Sequence, residues 1–225
     1  MLLTLAAYAA GMALQSWCRR HSLVNPTLIA IGIVAVALIA LRIDHVRYLE
    51  AARPVHWLLG PAVVGLAVPL YRHIGLVRGR TVLMIVALLA GSVTAIISGT
   101  AAGWWFHLSR STLLSLAPRS ATTAVSMAIA TEIGGIPAVT AVLTILTGII
   151  GASLASPLFN VLRIEDPVAR GFGMGVASHG IATARAFQES ETAGTFAGLA
   201  MALNAVVTAI LVPLVVRLFV SCPPG

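Results

Sequence analysis

From Thr81 to Leu108 the chain reads TVLMIVALLAGSVTAIISGTAAGWWFHL, a stretch without Asp, Glu, Lys or Arg. A helix needs ~20 apolar residues to cross a ~30 Å hydrocarbon slab, and this run exceeds that. Outward from it, residues 2–17, 23–41, 54–71, 137–159 and 192–219 are also nearly charge-free. A soluble helical core requires polar faces at helical spacing, whereas these windows are apolar all round. Composition agrees: 59% of residues are hydrophobic and 9% charged, with mean hydropathy +0.98. The expected fold is an all-α polytopic membrane protein of roughly 7–8 transmembrane segments, these six windows together with two interrupted polar helices.

The basic residues are all Arg, giving a formal net charge of +7. They gather in short connections, Arg19-Arg20, Arg42 to Arg53, Arg72 to Arg80 and Arg163 to Arg170. There they meet lipid headgroups, so the charge reads as topological and no nucleic-acid partner is expected. The hydrophobic N-terminus lacks a basic leader and a small-residue cleavage site, and it is read as a retained first helix. Cys18 and Cys222 lie far apart without a CxxC or neighbouring His, so neither a disulfide framework nor a metal site is expected. Connections are too short for a soluble domain, and residues 1–225 are read as a single membrane domain.

Proline punctuates the helix starts: Asn25-Pro26 opens the second run, Gly60-Pro61 falls early in the third, and Pro69 is expected to end it. Trp17, Trp57, Tyr71 and Trp104-Trp105 fall near predicted ends, as interfacial anchors do. Two stretches break the pattern. Pro118 to Pro137 is polar and interrupted, and Arg170 to Phe187 is rich in glycine. Irregular backbone at membrane depth survives only where protein or a water-filled cavity covers it, so both are expected to be interior, interrupted helices.

These stretches hold the candidate chemistry. Pro118 suits a helix start, with Ser120 and Thr123 at i, i+3 and Thr122 and Ser126 at i, i+4 offering hydroxyls to a cavity. Gly134, Gly135 and Pro137 predict a break or tight turn. Glu132 beside it is either a headgroup-exposed carboxylate or a buried proton carrier. In the second stretch His179 and Thr183 stand at i, i+4, with Ser178 and Arg185 on an adjoining stripe and Gly180 as a further breaking residue. A guanidinium matches a carboxylate, so Arg185 is a candidate substrate contact, its alternative being to snorkel to headgroups. His179 suits either an interhelical hydrogen bond or proton coupling. A lone His is no metal site, and Ser178-His179 lacks an acidic orienter and a nucleophile elbow, so no cofactor and no enzymatic activity are expected. Gly171-x-x-x-Gly175 and Gly194-x-x-x-Gly198 permit close helix packing, within the chain in the first instance.

Several segments together resemble the LrgB/CidB family: Arg119-Ser-Ala-Thr-Thr123, Glu132-Ile-Gly-Gly-Ile-Pro137, Leu146-Thr-Gly-Ile-Ile-Gly151, Asp166-Pro-Val-Ala-Arg-Gly171 and Ala177-Ser-His-Gly-Ile-Ala-Thr-Ala-Arg-Ala186. Leu23-Val-Asn-Pro26, Leu59-Gly-Pro61 and Val68-Pro-Leu-Tyr71 extend the likeness across the chain. The family is described as antiholin-like, or as modulating murein hydrolase activity and autolysis, and is paired with a smaller LrgA/CidA-like membrane protein. The resemblance implies small 2-oxo and 2-hydroxy carboxylates as substrates, of the pyruvate, glycolate and glycerate kind. It also implies a transporter-like inverted repeat, with Arg119, Ser120, Thr122, Thr123, Ser178, His179, Thr183 and Arg185 at the site. Arg119 stands where the family pattern has Lys, and Ala124 where it has Pro.

Two functions follow as expectations. One is a multi-pass carrier component for small monocarboxylates in the plasma membrane, acting with an LrgA/CidA-like partner and with room for a homo-oligomer. The other is an antiholin-like regulator without its own substrate. Polar groups clustered at two helix breaks favour the carrier.

Overall fold

The computed structural model describes residues 1–18, 24–58, 61, 64–65 and 67–220. Arg19-Arg20, Leu23, Leu59, Gly60 and Cys222, singled out above, lie outside them. All regular structure among the described residues is helical, and the chain divides into two compact units, 1–68 and 69–225.

The first unit holds α1 (Leu2–Trp17), α2 (Pro26–Ala40) and α3 (His45–Trp57). Asn25 starts α2 as the Asn-Pro pair predicts: its side-chain carbonyl accepts from the Thr27 and Leu28 amides at 2.9 and 3.3 Å, while Pro26 occupies the first turn. Gly11 lets α1 approach α2 until the glycine meets the Pro26 backbone, where a Cβ would sit 2.6 Å from the carbonyl oxygen. The third apolar run opens differently from expectation. α3 begins upstream at His45, among Arg47, Glu50 and Arg53, and carries Pro54 inside it. α4 (Ala67–Arg72) continues through Pro69 instead of ending at it.

The second unit is built on α5 (Ile74–Trp105), α6 (Arg110–Leu116), α7 (Thr123–Ile133), α8 (Pro137–Val161), α9 (Pro167–Glu189) and α10 (Glu191–Val220). Among the described residues three helices are long and apolar enough to cross a membrane: Ile74–Trp105, Pro137–Val161 and Glu191–Arg217. They are α5, α8 and all but the last turn of α10. Between them the two polar stretches do something a linear reading leaves open: each turns back on itself.

The clearest case is α9. Arg170 Nε donates to Glu189 Oε2 at 3.1 Å although 19 residues separate them, a spacing that would hold them about 28 Å apart on a straight helix. The reversal occurs at Ser178 (φ −144°, ψ 23°) and His179 (φ 42°, ψ −138°), so α9 is a hairpin of two arms. Met174 on the first arm and Ala182 and Ala186 on the second accordingly share one buried cluster with Ala152, Ala193 and Ala197. Gly171 and Gly175 seat the first arm directly on the α10 backbone at Ala193 and Ala197. That is the intrachain packing expected of the GxxxG pair.

α6 and α7 form the second hairpin. The Ser126 hydroxyl on α7 donates to the Pro118 carbonyl at 2.6 Å, and the Ile136 amide beyond α7 donates to Ser115 Oγ on α6 at 2.8 Å. The two hairpins are rooted at opposite ends of α5. Arg80, near its start, pairs with Asp166 at the root of α9, whereas Gly103, near its end, packs against Leu113 and Leu116 of α6. An arm of about ten residues rises about 15 Å, half the thickness of a ~30 Å hydrocarbon slab.

Candidate functional site

The tips meet at one side chain. Asn204 of α10 is fully buried, and its Nδ2 donates to the Ser120 carbonyl at 2.8 Å and to the Val176 carbonyl at 3.1 Å. Ser120 belongs to the first tip and Val176 stands just before the second. Its Oδ1 lies 2.7 Å from Ser92 Oγ, whose single proton is shared between it and the Leu88 carbonyl, also at 2.7 Å, and 3.4 Å from Thr208 Oγ1. Carbonyl oxygens only accept, so the amide orientation follows from the two carbonyls that face Nδ2, and both of its hydrogens are used. Helix breaks release backbone carbonyls that cannot remain bare away from water. Asn204 satisfies one from each hairpin. A single amide within an apolar run gives little sequence signal, and nothing in the local pattern marks Asn204 as a site residue.

Beside this junction lies a cavity of about 700 Å³. It extends from Arg80 and Asp166 at one end to Arg119, Ser120 and Thr147 at the other, between α5 and the first arm of α9. Its walls are mostly apolar, with Leu83, Met84, Phe172 and Val176 among them. Arg119 lies across Gly99, with Nη2 3.4 Å from Ser98 Oγ. Its Nη1 and the Ser120 hydroxyl are buried without a hydrogen-bond partner. Only glycine at 99 leaves room for this guanidinium, because a Cβ there would coincide with Nη1.

Thr122 and Thr123 sit at the start of α7. Thr122 is the N-cap but makes no side-chain cap bond, so first-turn amides of α7 face the tip uncapped by that side chain. Pro118 and Ser120 precede the helix, because the chain turns through 117–122 before α7 begins. Ser120 and Thr123 therefore do not share a helical face as the i, i+3 spacing suggests. Gly134, with φ 85°, and Pro137 produce the expected tight turn: Gly135 N closes on Ala130 O at 2.7 Å, and Pro137 opens α8. Glu132 is exposed in the last turn of α7.

The second set forms the other tip and its returning arm. Ser178 is 2% exposed and packs on Gly151. His179 Nε2 lies 2.9 Å from the Thr144 carbonyl, an acceptor, so this nitrogen carries the hydrogen, and the ring covers Gly148. Thr183 donates back to the His179 carbonyl at 2.9 Å. The backbone reversal falls on Ser178 and His179, immediately before Gly180, and the positive φ is borne by the histidine. Arg185, further along, donates through Nη1 to Gln188 Oε1 at 3.0 Å and is not among the residues lining the cavity. The structure thus brings Arg119, Ser120 and the tip of the first hairpin to the cavity and separates Arg185 from it. Among the described residues no three His, Cys, Asp or Glu side chains converge to hold a metal ion.

Fold and site together define a helical membrane protein built on two opposed helical hairpins that meet beside a cavity. The sequence profile of the LrgB-like family matches residues 4–218, and the chain belongs to that family. It is 34% identical over 184 residues to the uncharacterized protein YwbG of Bacillus subtilis, covering 82% of each chain. It is 33% identical over 219 residues to YxaC of the same organism, covering 97% of this chain and 95% of that one. It is 32% identical over 220 residues to the holin-like protein CidB of Staphylococcus aureus, again covering 97% and 95%. No solved structure matches the chain.

Proposed function

We propose that this protein is the transport component of a carrier for small monocarboxylates in the plasma membrane, working with an LrgA/CidA-like small membrane protein. The observation that carries this reading is the unpaired Nη1 of Arg119 at the inner end of the cavity, beside the tips of both hairpins. A guanidinium keeps its charge at membrane depth and offers a fork that matches a carboxylate. The N-terminal ends of α7 and of the returning arm of α9 add positive dipole ends at the same level. The Ser120 hydroxyl, 1% exposed and unpartnered, is suited to the substrate's 2-oxo or 2-hydroxy oxygen. Ser178, His179 and Thr183 set the shape of the second tip, and Arg185 braces its returning arm. The family match runs through both compact units, and we read residues 1–225 as one membrane domain.

The test is uptake of labelled pyruvate, glycolate and glycerate into proteoliposomes holding the chain with and without its small partner. Saturable uptake is expected, reduced at least about tenfold by Arg119→Ala and far less by Arg185→Ala, since only the former removes the cation facing the anion. Folded protein with no flux in any combination would sink the carrier. It would favour the second reading, a regulator without a substrate, which rests on the holin-like name borne by the CidB relatives.

A further inference from the structure

We propose that Arg80 and Asp166 form a charge-selective gate at the outer end of the cavity, admitting small carboxylate anions by exchange at Arg80. The inference rests on the cavity being the substrate path. Among its described lining residues, charge occurs at only two levels: the Arg80–Asp166 pair at one end and Arg119 at the other. Arg80 and Ala95, both on α5 and both lining the cavity, are about 22 Å apart along the helix. The walls between are largely apolar. An anion leaving water therefore needs a first cation at the mouth, and Arg80 is the one placed there.

Arg80 is occupied, but by a partner that can release it. The two side chains are 40% and 41% exposed, and exposed pairs of this kind are weak and readily exchanged. Asp166 is also anchored independently, because its Oδ1 accepts from the Val168 amide at 3.2 Å as the N-cap of α9. When an anion takes Arg80, the Asp166 carboxylate keeps this cap and the favourable end of the helix dipole, and it is not left uncompensated. A cation that paired with Asp166 would still face Arg119 further in. The pair thus selects by sign at the mouth, and Arg119 enforces the same sign within.

The gate can be read without turnover. In a Cys18→Ser, Cys222→Ser background, Ala95→Cys places a thiol on the inner wall. Its labelling in proteoliposomes is followed with the anionic sulfonatoethyl and the cationic trimethylammonioethyl methanethiosulfonates. Asp166→Asn keeps a cap acceptor but frees Arg80, and it is expected to speed anionic labelling about fivefold while slowing cationic labelling. Glu165→Gln removes the same charge from the adjacent exposed position and is expected to change either rate less than about twofold, a screened surface effect. Arg80→Gln is expected to slow anionic labelling and supplies the same reading if Asp166→Asn does not fold. Equal effects of Asp166→Asn and Glu165→Gln, or equal acceleration of both reagents, would overturn the gate. Lack of uptake with these labelling differences intact would count against the carrier alone.

Discussion

Arg170 and Glu189 clasp the two roots of α9 together: Nε lies 3.1 Å from Oε2, and the side chains are 17% and 19% exposed. The clasp is embedded in further contacts. Ser156 Oγ donates to Glu189 Oε1, Arg170 Nη1 donates to Asn160 Oδ1 at 2.9 Å, and the guanidinium lies 5.6 Å from the centre of the Phe159 ring. Removing one partner of such a shielded pair leaves the other charge uncompensated. Glu189→Ala is therefore expected to destabilise the protein by about 3 kcal/mol, and Glu189→Gln, which retains an acceptor, by less. Thermal unfolding of the purified variants in detergent measures both. Equal stability of Glu189→Ala and wild type would mean that the clasp does not hold the hairpin.

Asn204 carries a larger share of the junction than its size suggests. Asn204→Leu keeps much of the volume but strips donors from the Ser120 and Val176 carbonyls. Orphaning two buried carbonyls at about 1–3 kcal/mol each makes a loss of about 2–6 kcal/mol the expectation. Asn204→Asp should be no better, since it turns a carboxylate toward two carbonyl oxygens. Thr208→Val, which removes only the long 3.4 Å contact to Oδ1, is expected to cost under about 1 kcal/mol. Denaturation midpoints in this order would support Asn204 as the pin between the hairpins; the reverse order would refute it.

These two residues mark where the sequence stops being legible. The long apolar runs announce membrane helices, and Gly134-Gly135-Ile136-Pro137 announces its own turn through residues with special backbone preferences. The reversal of α9 announces itself far less, because its positive φ falls on His179 and no proline stands nearby. Whether an interrupted helix crosses or turns back depends on contacts such as Arg170–Glu189, which no local pattern encodes. The same gap affects the site. The sequence points to Arg185 ahead of Arg119 as the substrate cation, but depth along the hairpin reverses that order: Arg119 lies at a tip and Arg185 on a returning arm.

Gly99 should be as sensitive as Arg119 for transport and nearly silent for stability. Adding a Cβ there displaces the flexible end of the arginine from its slot, while alanine in the middle of α5 gains about 1 kcal/mol of helix propensity over glycine. Gly99→Ala is thus expected to lower uptake about tenfold, by misplacing the cation, without lowering the melting temperature. Gly79→Ala lies on the same helix with nothing within 4 Å and is the matched control, expected to leave uptake unchanged. Parallel behaviour of the two variants would detach Gly99 from the site.

His179 offers a test of the hairpin backbone itself. At φ 42° and ψ −138° it occupies a region that glycine enters freely and an L-residue only under strain, about 1–3 kcal/mol. His179→Ala and His179→Gly both lose the bond to the Thr144 carbonyl and the ring that covers Gly148. They differ in what remains: alanine keeps the strain and glycine releases it. In an ordinary helix interior glycine is the worse of the two by about 1 kcal/mol, so the sign of the difference reports the local conformation. At a reversal, His179→Gly should melt above His179→Ala, with the gap reflecting about 1–2 kcal/mol of released strain. Were the alanine variant the more stable, residue 179 would lie in continuous helix, and α9 would cross the membrane instead of turning back within it.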